Sequence, residues 1–170
     1  MNFITFWTIS ILAPIPFIHF ALHSFLTFWR RKPLAFYVTI AILWFLSFFA
    51  ASFLVRHEKT FFTPPSWLII SALVLEFVSL LLIFWAIITI GPKRFFLFAI
   101  VFPKKVEQKY IKSGPYLFVR HPAYLGYLAI WLFSFLATGR VVLLFFFIFA
   151  LICVPIIISL EDREMKERLG

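Results

Sequence analysis

Charged residues are scarce in this chain, at 14% of 170 positions against 64% hydrophobic, and the mean hydropathy is +1.03. That scarcity excludes a soluble globular domain, because roughly a third of the unfolded surface of a chain this long stays wet after folding. Cysteine is almost absent. The single Cys153 lies inside an apolar run, which excludes a disulfide framework and a CxxC metal site and leaves it a packing role. Acidic residues number 7 against 16 basic ones, for a net charge of +9. Nucleic acid is not the implied partner, since the basic residues fall in short clusters between apolar runs, where a membrane protein keeps them. A basic segment before the first apolar run is also lacking, and Pro14 and Pro16 interrupt that run, so the N-terminus reads as a retained span and not as a cleaved signal.

What is there are five apolar stretches. They cover Phe3 to Trp29, Leu34 to Val55, Trp67 to Ile90, Pro122 to Thr138 and Val141 to Leu160, with a Gly139-Arg140 turn joining the last two. Runs of about 20 apolar residues match the hydrocarbon thickness of a bilayer. Helices are the expected form, because an open strand edge leaves unsatisfied backbone groups in hydrocarbon. The reading is an all-α polytopic membrane protein of about five spans with a C-terminal helical hairpin. It divides into an N-terminal two-span region, 1–66, and a membrane core, 67–170. The piece from Phe95 to Phe102 is too short to span and reads as interfacial or re-entrant.

Basic residues set the expected orientation. Of the 16, only Arg56, Lys59 and Arg140 fall on one side, and the remaining 13 fall on the other. The richer side is expected in the cytoplasm, with the N-terminus outside and the C-terminus inside, in the plasma (inner) membrane if the source is bacterial. The polar stretch Pro103 to His121 and the charged tail Glu161 to Gly170 then share the cytoplasmic face. His121 and Glu161 fall at the two near ends of one hairpin.

The informative segment is Ser113-Gly114-Pro115-Tyr116, followed by Arg120-His121-Pro122-Ala123-Tyr124-Leu125-Gly126. Gly114-Pro115 is a turn signal. Pro122 suits the first position of a helix, whose first-turn N–H groups form an anion site reinforced by Arg120 and His121. Across the hairpin, Glu161 and Asp162 suit a cation or a polyhydroxyl group, so a zwitterionic ligand fits between the two ends.

Gly-Pro-Tyr, then Arg-His-Pro-x-Tyr-x-Gly, then an apolar hairpin and an acidic pair nine residues before Gly170, resembles the isoprenylcysteine carboxyl methyltransferase family and the related membrane phospholipid N-methyltransferases. The resemblance covers about Trp67 to Gly170. It implies a membrane methyltransferase that moves a methyl group from S-adenosylmethionine to a lipid-embedded acceptor, a prenylcysteine carboxylate or a phospholipid, with no metal. By position it implies a cofactor pocket lined by Tyr116, His121, Pro122, Ala123 and Tyr124. Gln108, Lys109, Tyr110 and Ile111 contribute from the preceding loop, and Glu161 and Asp162 close the pocket. Arg120 and Glu161 are the candidate catalytic residues, Arg120 for steering an anionic substrate group.

Two features depart from the family pattern. Ile157 stands where the prenylcysteine enzymes carry an arginine one turn before the acidic pair, and the family usually continues past the glycine. The rival readings are an NADPH-dependent enzyme resembling the sterol reductases, which carry an acidic residue where Tyr127 stands here, and a non-catalytic membrane subunit.

Two further features stand outside this assignment. His19 and His23 share one helical face and form a metal-capable pair, but the sequence offers no evident third ligand, so no metal is expected. Glu76 lies mid-span, either as a functional carboxylate or hydrogen-bonded to a neighbouring helix.

Overall fold

The structure, a computed structural model, describes residues 3–106 and 111–169, with side chains as far as Lys166. Among the described residues the chain forms nine α-helices. These are α1 (Phe3–Leu12), α2 (Pro14–Ser24), α3 (Leu26–Arg31), α4 (Pro33–His57), α5 (Ser66–Ile90), α6 (Pro92–Phe95), α7 (Phe98–Val101), α8 (Pro122–Thr138) and α9 (Val141–Leu169). Four stretches are long and apolar enough to cross a membrane, namely α1 with α2, then α4, α5 and α9. Helix α8 is apolar but only 17 residues long, at the short end of what spans. The protein is an all-α polytopic membrane protein.

The first apolar stretch is not one uninterrupted helix. It breaks at Ala13 and again at Phe25. Proline has no N–H to donate to the preceding turn, so Pro16 releases the carbonyl of Leu12. The Tyr127 hydroxyl donates to that oxygen at 3.4 Å. The nearby Ile11 carbonyl is taken by the Trp44 indole N–H at 3.1 Å, and the Ser47 hydroxyl adds a second bond, at 3.2 Å, to the Ile9 carbonyl that Ala13 N–H already holds. Side chains of α4 and α8 thereby satisfy backbone groups that hydrocarbon cannot.

Helix α8 is the centre of the bundle, against α5 on one side and α9 and α1 on the others. Its pairing with α5 rests on small residues. Ala72, Ser79 and Ala86, seven apart, are buried, while their large neighbours Phe77, Leu81 and Phe84 are exposed and meet lipid. Opposite them stands Gly126, where a Cβ would come within 2.6 Å of Ile83 Cγ1 and 3.0 Å of the Ser79 carbonyl oxygen. Lipid offers no hydrophobic drive for helix association, so backbones that approach this closely supply it by van der Waals contact. Halfway along, the Ser134 hydroxyl donates to Glu76 Oε1 at 3.2 Å, and the Thr8 hydroxyl, 3.1 Å away, is left as donor to Ser134. Glu76 thus serves as a hydrogen-bonded link between α5 and α8.

The two ends of the bundle differ. At one, the α8–α9 turn is clamped to the α4–α5 loop. Phe61 N–H donates to the Gly139 carbonyl at 2.7 Å, Val141 N–H to that of Lys59 at 3.0 Å, and the Arg140 guanidinium lies 3.4 Å from the buried carboxylate of Glu58. Burial raises the pKa of Glu58, and the positive charge of Arg140 pulls it back. At the other end, Phe95 to Phe102 forms no span. It turns at Leu97, whose φ is 63°, and lays Val101 against Ile18, Leu22 and Phe36. Arg30 ties this end together, donating to the Ile100 carbonyl at 3.0 Å and to Glu164 Oε1 at 2.8 Å.

Glu161 and Glu164 are not on a solvated tail. Helix α9 continues past the apolar run to Leu169. Ala150, Val154, Ile157 and Glu164 are buried on one stripe, and Glu161 lies on the same stripe, 16% exposed. Glu164 belongs inside the bundle, paired with Arg30, because its spacing from Ile157 and Glu161 repeats the helical period.

Candidate active site

The functional side chains gather where the ends of α2, α8 and α9 meet. Pro122 opens α8 at its first position, its ring fixing the backbone angle a helix needs. Tyr124, within the first turn, projects toward α9, and its hydroxyl donates to Glu161 Oε1 at 2.5 Å. That oxygen is also 3.1 Å from His19 Nδ1, which is 3.2 Å from the Tyr124 oxygen. The tyrosine proton is committed to the carboxylate, so Nδ1–H of His19 is the donor that both oxygens share. His121, just before the helix, bridges the acidic pair, with Nδ1 3.9 Å from Glu161 Oε2 and Nε2 3.5 Å from Asp162 Oδ1.

The helix start is a weaker anion site than its sequence suggests. Pro122 has no N–H, and the N–H of Tyr124 turns back to the His121 carbonyl at 3.1 Å, so at most one first-turn donor faces outward. Electrostatically the site favours cations and hydroxyl donors instead. Glu161 and Asp162 supply four carboxylate oxygens, and Asp162 Oδ1 is buried without a hydrogen bond.

Tyr116 lies on a 3₁₀ turn, Gly114–Leu117, that packs on the end of α5. At Gly114, with φ of 56°, a Cβ would lie 2.5 Å from Thr89 Oγ1, so the turn presses closely on α5. Burial, with the nearby Glu161 charge adding to it, pushes the Tyr116 hydroxyl up to about 12. It stays protonated, a hydrogen-bond donor throughout the physiological range.

Of the residues singled out by sequence, His121, Pro122, Tyr124, Glu161 and Asp162 come together, and Ala123 is partly buried within the same first turn. Arg120 points outward, its side chain 78% exposed, and meets only the rim of the cluster at Asp162 Oδ2, 3.4 Å away. Gln108, Lys109 and Tyr110 lie outside the described residues, and Ile111 follows them partly buried. Beside the cluster, Pro155, Ile158, Ser159, Asp162, Arg163 and Lys166 form one largely exposed face of α9. It grades from apolar to charged and shares Asp162 with the cluster.

Against this geometry, the sequence model of one family, described as phospholipid methyltransferase, matches residues 67–170, more than half of the chain. The chain belongs to the phospholipid methyltransferase family. No curated protein and no solved structure matches it. The family match spans α5 to α9 and so takes in Tyr124, His121, Glu161 and Asp162. It does not reach His19, which the fold delivers to Glu161 from α2. The sequence shows His19 and His23 only as a pair without a third ligand, because the carboxylate beside them is at the opposite end of the chain. Their spacing of four was the available signal.

Proposed function

We propose that the protein transfers a methyl group from S-adenosylmethionine to a lipid-embedded acceptor at the cluster of His121, Tyr124, Glu161 and Asp162. The observation that carries this reading is the carboxylate pair of Glu161 and Asp162 gathered with His121 and Tyr124 at the start of α8, in a member of the phospholipid methyltransferase family. An acceptor-rich, half-buried pocket suits the amino group and ribose hydroxyls of that cofactor, and Arg120 at the rim suits its carboxylate. When bound, the cofactor supplies an electrophilic methyl group on a sulfonium, displaced in line with no metal required.

The chain's own contribution is to hold and to dry. Tyr124 and His19 fix Glu161, His121 sets the spacing between the two carboxylates, and Tyr116 stays a neutral donor above them. Positioning and exclusion of water are sufficient catalytic means for such a displacement. The exposed face of α9, apolar at Pro155 and Ile158 and charged at Asp162, Arg163 and Lys166, suits contact with an amphiphile arriving sideways from the bilayer. Ile157, buried and apolar, favours a phospholipid amine over a prenylcysteine carboxylate, which needs a cation at that turn.

Titration calorimetry of the protein in detergent is expected to give saturable S-adenosylmethionine binding and no comparable heat with NADPH. Tyr127, where a reductase carries an acid, is buried and committed to the Leu12 carbonyl. Binding of NADPH alone overturns the assignment.

The site faces the cytoplasm on this reading, because the basic clusters at Arg30–Lys32, Lys93–Arg94 and Lys104–Lys105 lie at its end of the bundle. A cysteine placed at Lys59 is expected to react with an impermeant reagent applied outside intact cells, and one at Lys105 to be protected. The buried Cys153 gives no background. The reverse labelling pattern sinks the orientation.

A further inference from the structure

We propose that His19, His23 and Glu161 form a binding site for a first-row divalent transition ion, with Zn²⁺ the best fit. The site goes beyond the methyltransferase reading and does not depend on it, although the two share Glu161. Both histidines stand on α2, outside the residues matched by the family.

Three observations carry the proposal. Positions 19 and 23 are four apart on a helix, so both imidazoles leave the same face, with ring centroids 6.3 Å apart and planes inclined by 28°. Helix α9 then brings Glu161 Oε1 to 3.1 Å from His19 Nδ1, and one ligand atom from each of the three residues lies within 4.8 Å of the others. Finally, His23 Nε2 is buried without a hydrogen-bond partner, so the residue holds an unsatisfied nitrogen.

The donor set selects the ion. Ligands held about 2.0–2.2 Å from a tetrahedral zinc stand roughly 3.4 Å apart, so side-chain movements of about 1 Å close the triangle. Two imidazoles and one carboxylate suit zinc and its first-row neighbours, whereas magnesium and calcium prefer oxygen ligands throughout. Three protein ligands leave a fourth position for water. Tyr124, donating to Glu161 Oε1, orients the carboxylate from the outer sphere. His19 Nδ1 now shares a proton with Glu161 and Tyr124. Coordination through that nitrogen requires the Nε2–H tautomer of His19, so the ion takes the place of the hydrogen bonds Nδ1 makes to Glu161 and Tyr124. The ion ties α2 to α9 across the two ends of the chain.

The test uses the full chain in detergent after chelator treatment, titrated calorimetrically with Zn²⁺ and spectroscopically with Co²⁺. One ion per chain is expected, with the Co²⁺ spectrum of a four-coordinate nitrogen–oxygen site. His23→Asn is expected to weaken Zn²⁺ affinity by at least about tenfold, since even outer-sphere partners of a metal commonly contribute that much. S-adenosylmethionine binding is read on the same variant, and because the two sites share Glu161 the ligand role requires Zn²⁺ affinity to fall by more than S-adenosylmethionine affinity. His19→Asn provides the second ligand variant where His23→Asn disturbs folding, and His57→Asn at the far end is the control. Absence of saturable Zn²⁺ binding, or affinity that survives both ligand substitutions in folded protein, overturns the site. Zn²⁺ binding without any S-adenosylmethionine binding leaves the metal site standing and removes the methyltransferase reading instead.

Discussion

Glu161→Gln is expected to lower S-adenosylmethionine affinity roughly 10- to 150-fold, equivalent to about 1.5–3 kcal/mol for one hydrogen bond to a charged group. The substitution keeps the shape of the side chain and removes the charge. It also turns an acceptor shared by Tyr124 and His19 into an amide that competes with them as a donor. The effect therefore combines the lost contact to the cofactor with loosening of the frame that positions it. Lys104→Gln, on an exposed side chain of the same face, is the appropriate control. Glu164→Gln, one turn beyond Glu161, is not neutral, because Glu164 is buried and paired with Arg30 at 2.8 Å. Breaking such a pair leaves a cation without its partner at the edge of the bundle. Calorimetry on folded Glu161→Gln protein decides the matter. Unchanged affinity reduces Glu161 to an interface anchor.

Gly139→Ala is expected to be the most damaging small substitution in the chain. Its backbone is left-handed, with φ of 65°, which costs any other L-residue about 1–2 kcal/mol. An added Cβ would also lie 1.9 Å from the Phe62 carbonyl oxygen, a backbone atom that cannot swing away. Relief requires parting the clamp made by Phe61 N–H to Gly139 and Val141 N–H to Lys59, each bond contributing about 1 kcal/mol. The total reaches at least about 3 kcal/mol, enough to shift thermal unfolding in detergent clearly or to prevent recovery of folded protein. Folded Gly139→Ala protein whose thermal unfolding in detergent is unchanged contradicts the clamp.

Much of the architecture was legible because lipid imposes a simple rule on sequence. Each span must be apolar for its full length, and the charged residues must collect at the ends. The runs bounded by Pro33, Pro65 and Pro122 accordingly become α4, α5 and α8 with boundaries close to those read from composition, whereas α9 starts where read, at Val141, and runs nine residues past the apolar stretch. The cluster of His121, Tyr124, Glu161 and Asp162 was equally legible, since a hairpin with a two-residue turn forces its far ends together.

What sequence alone determined is thus the set of local and nearest-neighbour facts: helical spans, their ends, and which polar residues share a face of the membrane. Tertiary structure decided the rest, because it depends on which helix lies beside which. Nothing local in Glu164 distinguishes a solvated carboxylate from one buried against Arg30, and nothing near His19 and His23 announces that Glu161 will close their triangle. In lipid, apolar side chains are nearly indifferent to whether they face a neighbouring helix or an acyl chain. The pairing is set instead by a few small and polar residues, Ser79, Gly126, Ser134 and the carbonyls released by the prolines of α2, whose partners lie far away along the chain.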